Sequence, residues 1–223
     1  MKKSRRIAHQ VLQAASKGEW EIWRKHYDSL SIDDLIFINT ALDAHIRDQK
    51  CRAVGAVIEV LERLYLNGQR DIEVVELGCH RGYLADECLK HFPKMIKSWT
   101  GYDLNFYALG EPIPQNGRYT TVKQTEWFYN IEINHSMDTF ISTSTLEHHN
   151  TEQVLKIFDK LGESQGIRNI IIALPVRPSG WQGYGGSHVL LMGVEEISEA
   201  IEKAGFEIFY FEKNPIFTWG ASR

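Results

Sequence analysis

Apolar residues along the chain change period near residue 70, and that change divides the sequence. Before it the spacing is helical. Ile7, Val11, Leu12 and Ala15 recur at intervals of one turn. Ser31, with Asp34 three residues on, has the form of an N-cap with an acidic third position. Residues 51–66 (CRAVGAVIEVLERLYL) put Val54, Val57, Leu61 and Leu64 on one face, and Asn67-Gly68 ends the helix. From Asp71 onward short apolar runs alternate with amphipathic ones. IEVVEL, the segment ending in Trp99-Thr100-Gly101-Tyr102-Asp103, YTTVKQ, MDTFISTS and RNIIIALPV read as five strands. RGYLADECLKHF, the stretch capped by Asn150 that carries Val154, Leu155, Phe158 and Leu161, and VEEISEAIEKAG with Gly205 at its end read as helices. FEIFYFE and PIFTWG, joined through Lys213 and Asn214, close the chain as an antiparallel pair.

This order predicts an α/β fold. We expect a seven-stranded, mostly parallel sheet with helices on both faces, an antiparallel C-terminal hairpin and an N-terminal helical segment. The expected organisation is a helical cap over residues 1–68 and a ligand-binding domain over 69–223. In such sheets ligands bind beyond the carboxyl ends of the strands, so the residues just after each strand are the candidates.

After the first strand comes Glu76-Leu77-Gly78-Cys79-His80-Arg81-Gly82. Glycine at a strand end allows a tight turn and close approach to a ligand. A dinucleotide site would want a second glycine where His80 stands, and Glu76 suits a cationic ligand better than a diphosphate. Asp103 ends the second strand, where a carboxylate can accept hydrogen bonds from a ribose diol. After the third strand, Gln124 to Trp127 offer a polar edge and an indole face for a base. The fourth strand ends in Ser142-Thr143-Ser144-Thr145-Leu146-Glu147-His148-His149.

Composition narrows the partners. The 223 residues are 43% hydrophobic and 24% charged with net charge −4, so no global field draws the chain to nucleic acid or anionic lipid. Lys2, Lys3, Arg5 and Arg6 form a short basic cluster without interleaved aromatics. The longest apolar run, residues 170–176, is too short to span a bilayer, and the amphipathic start does not read as a signal peptide. Cys51, Cys79 and Cys88 show no CxxC spacing, which fits free thiols in a reducing, cytoplasmic compartment. No spacing such as HExxH calls for a metal.

Taken in order, the motifs resemble those of class I S-adenosylmethionine-dependent methyltransferases of the small-molecule type. VVELGCHRG is similar to their first motif and YDLN to their second. MDTFISTSTLEHH resembles their fourth-strand segment, and SHVLLMGVEEISEAIEKAGF the late segment leading into the final hairpin. The likeness covers about residues 71–220. It implies S-adenosylmethionine as cofactor, with Glu76, Gly78, His80 and Gly82 at its methionine end and Asp103 with Leu104 at the ribose. It further implies Glu126 and Trp127 at the adenine, and Ser144 and Thr145 near the sulfonium and the acceptor. Asp138 takes the aspartate position that opens the fourth strand.

A small-molecule acceptor methylated on oxygen, less readily on nitrogen, is the expectation. A hydroxyl acceptor needs a base. His188 is the first candidate, following the glycine-rich loop PSGWQGYGGSH, and His148 and His149 are its rivals. Trp181, Tyr184 and Tyr107 are candidate acceptor walls, and Trp20, Trp23 and Tyr27 are further aromatics better read as helix packing. Gly180, Gly183, Gly185 and Gly186 suit a lid. Two other classes share these features: a nicotinamide-dependent oxidoreductase, which should show a fuller GxGxxG, and a non-catalytic partner protein of the same fold.

Overall fold

The structure is a computed structural model that describes residues 10, 34, 43–103, 114, 117–123, 128–175, 190–213 and 216–223; for residues 43–52 and 123 it describes the backbone alone. Helix α1 runs Asp43–Leu66. Strand β1 (Ile72–Leu77) leads into α2 (Tyr83–His91), then β2 (Ile96–Asp103) and β3 (Tyr119–Lys123). After β4 (Thr139–Thr143) come α3 (Thr151–Glu163), β5 (Asn169–Leu174) and α4 (Val194–Lys203). The hairpin of β6 (Glu207–Lys213) and β7 (Phe217–Ser222) ends the chain. Of the expected N-terminal helices, Gln10 and Asp34 are helical; Ile7, Val11, Leu12, Ala15, Ser31, Trp20, Trp23 and Tyr27 lie outside the described residues.

The sheet order is β3-β2-β1-β4-β5-β7-β6. β1 to β5 pair in parallel, and β7 lies antiparallel between β5 and β6. This is the expected seven-stranded α/β architecture. It departs from the dinucleotide-binding order 3-2-1-4-5-6 by the strand inserted before the last. β4 and β5 are buried along their whole length, which explains the continuous apolar reading of β5; β4 buries Thr139, Ser142 and Thr143 as well.

Two apolar layers sandwich the sheet. On one face α1 and α2 bury Val57, Val60, Leu61, Leu64, Leu84 and Leu89 against Val74, Trp99 and Ile171. The packing is close enough to require a glycine in β7: a Cβ on Gly220 would stand 2.6 Å from Val60 Cγ1. Tyr210 of β6 ties α1 further, its hydroxyl hydrogen-bonding Glu59 at 3.1 Å and also Glu212. The second half of α1 is thus a layer of the sheet's own core.

On the other face α3 and α4 bury Val154, Ile157, Phe158, Leu161, Ile197 and Ile201 against Val75, Phe140 and Ile172. Leu155, read from sequence as part of the α3 apolar face, is 40% exposed, and Ile157 takes that place. The 3.6-residue period selects 154, 157, 158 and 161 and turns 155 outward. The N-terminus of α3 carries a full capping box. Gln153 N–H donates to Asn150 Oδ1, and Asn150 N–H to Gln153 Oε1, both at 2.9 Å.

The two ends of the sheet are built differently. At the amino ends of the strands Asp138 is a structural acid: its Oδ1 accepts from Thr139 Oγ1 at 2.6 Å and its Oδ2 from Glu73 N–H at 3.2 Å. Burial pushes its carboxyl up from the ordinary range. The carboxyl ends of β1, β2 and β4 are where the chain departs from regular backbone.

Candidate functional site

β1 ends at Leu77, and the five residues after it form a turn whose backbone alternates. Gly78 (φ 76°), His80 (φ 52°) and Gly82 (φ 81°) are all left-handed. Position 80 therefore has a glycine-type conformation filled by histidine. The turn is fastened to β2, since Gly78 N–H and Cys79 N–H donate to Tyr102 O at 2.7 and 3.1 Å. His80 N–H donates to Asp103 Oδ2 at 2.7 Å, a charge-assisted geometry that aims the β2 carboxylate along the loop. Gly82 N–H closes the turn on Cys79 O at 2.8 Å, and Gly82 is the N-cap of α2.

Glycine is needed in this region because other side chains fill the space. A Cβ on Gly78 would stand 2.7 Å from Thr145 Cβ and nearer still to its hydroxyl. A Cβ on Gly82 would meet Tyr119 Oη at 2.7 Å, and one on Gly101 would meet Cys79 Sγ at 2.6 Å. Tyr119 thus lies between the turn and β2. Burial holds its phenol far above the ordinary range, so it stays protonated. Sequence reasoning missed Tyr119; the glycines at 82 and 101, which leave room for it, are the signal that pointed there. Burial also pushes the Cys88 thiol up, leaving it unreactive.

Glu76 precedes the turn with its side chain on the α1/α2 face. The carboxylate is fully buried, and Oε2 accepts the indole N–H of Trp99 at 2.9 Å.

The opposite wall comes from β4. In this sheet β2 and β3 lie on one side of β1 and β4 on the other, so β1/β4 is the switch point where a crevice opens. Ser144, also left-handed (φ 45°), donates its N–H to Ala173 O of β5 at 2.8 Å. Thr145 Oγ1 donates to Thr143 O at 2.9 Å, and its side chain lies against Gly78 across the crevice floor. A single helical turn, Leu146–His148, follows.

His149 is buried, with Nδ1 placed 3.1 Å from Thr145 O. A carbonyl only accepts, so Nδ1 carries the proton. Burial lowers the His149 pKa to about 4, which leaves it neutral near pH 7 and a weaker base than a free imidazole. The geometry makes it a clasp on Thr145. His148 is half-buried on the same turn. Glu147, also missed from sequence, is 1% exposed, and its carbonyl accepts the N–H of Leu190 at 3.2 Å.

The structure therefore brings Gly78, His80, Gly82, Asp103, Ser144 and Thr145 to one end of the sheet, with His148 and His149 behind Thr145. Leu104, Tyr107, Glu126, Trp127, Trp181, Tyr184 and His188, together with the lid glycines, lie outside the described residues. Among the described residues no three or more His, Cys, Asp or Glu side chains cluster to hold a metal ion. No described helix is long and apolar enough to cross a membrane.

The sequence matches no family model and no curated protein. Solved structures do match. Magnesium protoporphyrin IX methyltransferase from Synechocystis PCC 6803, with S-adenosylmethionine bound, superposes with a TM-score of 0.59 at 17% identity, over 82% of this chain and 83% of that one. The chain has the class I methyltransferase fold. The methyltransferase domain of bacterial CtHen1 shares that fold with a TM-score of 0.56 at 17% identity, over 78% of this chain and 100% of that domain. Human N-acetylserotonin methyltransferase does so at 0.54 and 14%, over 68% of this chain and 47% of its own. At these identities the likeness speaks for the fold, and the ligand has to be argued from the residues.

Proposed function

We propose that the protein is an S-adenosylmethionine-dependent methyltransferase acting on an oxygen, less readily a nitrogen, of a small-molecule acceptor. The observation that carries the reading is the junction of turn and strand: Asp103 Oδ2 fixed by His80 N–H at 2.7 Å beside a turn left-handed at 78, 80 and 82. The residues fit the cofactor. Asp103 is a carboxylate at the strand end that suits a ribose diol. Gly78 lets the Thr145 side chain close against the end of β1 at the β1/β4 crevice, and the N–H groups at the start of α2 suit a carboxylate. The cofactor supplies an already activated methyl group on a sulfonium. What remains for the chain is alignment of acceptor and donor in line and exclusion of water.

In this reading Asp103 and the 78–82 turn hold the nucleoside and methionine ends, while Ser144 and Thr145 face the acceptor side. His149 keeps Thr145 in place. Proton removal from a hydroxyl acceptor falls to His188 or His148, since burial takes basicity away from His149. Glu126 and Trp127 are proposed at the adenine, with Leu104 beside the ribose. Tyr107, Trp181 and Tyr184 are proposed around the acceptor.

Thermal unfolding with added ligand tests the reading. Stabilisation by S-adenosylmethionine and S-adenosylhomocysteine, without stabilisation by nicotinamide dinucleotides, is expected. The reverse pattern would hand the site to an oxidoreductase, and no response to either would favour a non-catalytic role.

A further inference from the structure

The histidine at position 80 is the one residue of the turn that its backbone does not ask for. Positions 78, 80 and 82 are all left-handed, and the outer two are glycines. A side chain in that conformation is strained, and strain retained at a ligand-facing turn points to a use for the side chain. The imidazole does not reach outward, because His80 is 2% exposed. Its ring stacks on Tyr83, the first residue of α2, with centroids 5.6 Å apart and planes at 24°. The backbone N–H of the same residue holds Asp103 Oδ2. One residue thus joins the start of α2 to the carboxylate at the end of β2.

We propose that His80 is a positioning residue for ribose recognition. The buried ring locks a backbone that glycine would leave free, so that the His80 N–H orients the Asp103 carboxylate toward the ribose hydroxyls. This role rests on the S-adenosylmethionine reading above. The rest of the turn has hydrogen bonds of its own. Gly78 N–H and Cys79 N–H are held by Tyr102 O, and Gly82 N–H by Cys79 O. Replacing the ring should therefore loosen the link to Asp103 and leave the turn standing. A second glycine at position 80 would suit the φ but would let the N–H swing away from the carboxylate.

The test is calorimetric titration of the full chain with S-adenosylhomocysteine and with its 2′,3′-dideoxyribose analogue. The wild type is expected to prefer the parent ligand. His80→Gly should weaken S-adenosylhomocysteine by about tenfold and leave the dideoxy analogue unchanged, so the preference collapses. Tyr83→Ala, which keeps residue 80 and removes the stacking partner, should shift the same ratio the same way, and it serves as the measurement if His80→Gly does not fold. Equal weakening of both ligands would overturn the proposal, because a ring that merely supports the fold or touches another part of the cofactor would act on both. So would unchanged binding of both. A wild type that binds neither ligand sinks the methyltransferase reading itself, and the ribose role with it.

Discussion

Replacing Gly78 with alanine probes the floor of the crevice, because two separate costs meet there. The first is conformational: φ is 76°, and a left-handed backbone costs a residue with a Cβ roughly 1–2 kcal/mol. The second is steric. The new methyl would stand 2.7 Å from Thr145 Cβ and closer to Thr145 Oγ1, an overpacking that costs about 1–3 kcal/mol. Together they predict a loss of about 2–5 kcal/mol, a large share of the roughly 5–15 kcal/mol that holds a typical domain folded. The two costs separate in a double-mutant cycle with Thr145→Gly, which removes every Thr145 atom in the clash. That single change gives up the Thr145 Oγ1 bond to Thr143 O and stiffness at position 145, together about 1–2 kcal/mol. In the double variant the steric cost vanishes and the conformational cost stays. The two losses should therefore fall short of additivity by about 1–3 kcal/mol. Urea unfolding, read by its midpoint with the slope checked for constancy, measures all four proteins. Additive losses would refute the reasoning, since Thr145 would then not be what makes glycine necessary.

Three further expectations follow from the packing and the titration. Gly220→Ala should destabilise the fold by about 1–3 kcal/mol, since its methyl would meet Val60 Cγ1 at 2.6 Å, and thermal unfolding of Gly220→Ala with and without Val60→Ala should show partial rescue. Arg223→Ala should lower the unfolding midpoint, because the Arg223 side chain donates to the carbonyls of Gly162 and Ser164 at the end of α3 and of Ile167 just before β5; removing a cation from a helix C-terminus costs about 0.3–1 kcal/mol or more. Burial lowers the His149 pKa from 6.5 to about 4, so between those values the unfolded chain binds more protons than the folded one. The resulting stability, at most about 3 kcal/mol, is full above pH 6.5 and drains away as pH falls toward 4. His149→Gln should flatten that part of a plot of unfolding free energy against pH, and an unchanged slope would remove His149 as its source.

Local pattern made the architecture legible because each element carries its own signal. Alternation and apolar runs mark the strands, Asn150 and Gln153 mark a helix start, and Gly205, left-handed at φ 87°, marks a helix end. Asp103 was legible for the same reason, standing at the end of a strand whose end the sequence shows. Contacts across the sheet were not. Nothing local to Thr145 says that it will press on Gly78, because β1 and β4 become neighbours only through the parallel pairing of distant segments. Strand parity put Glu76 on the face of Val74. Which layer covers that face depends on where α1 and α2 pack, and so the buried pairing with Trp99 could not be read. His149 was read as a candidate base; its burial, which lowers its basicity, depends on packing that no local pattern shows.

The glycine turn sits in a field whose sign bears on the ligand. Glu76 lies beneath it, fully buried, and Asp103 lies at its side, nine-tenths buried. Their charges act on the same neighbours: both push the Tyr119 phenol up, and Glu76 also pushes up the Cys88 thiol. Opposing them is the N-terminus of α2, worth about half a positive charge. A unit charge on either carboxyl group is larger than the half charge of the helix end and of opposite sign. A pyrophosphate would bring two further negative charges into that field and lose by it. A ligand with an ammonium and a sulfonium gains, while its one carboxylate can still take the N–H groups of the helix start. Acidic groups at this turn therefore count against a dinucleotide and for a cationic ligand such as S-adenosylmethionine, independently of the missing second glycine.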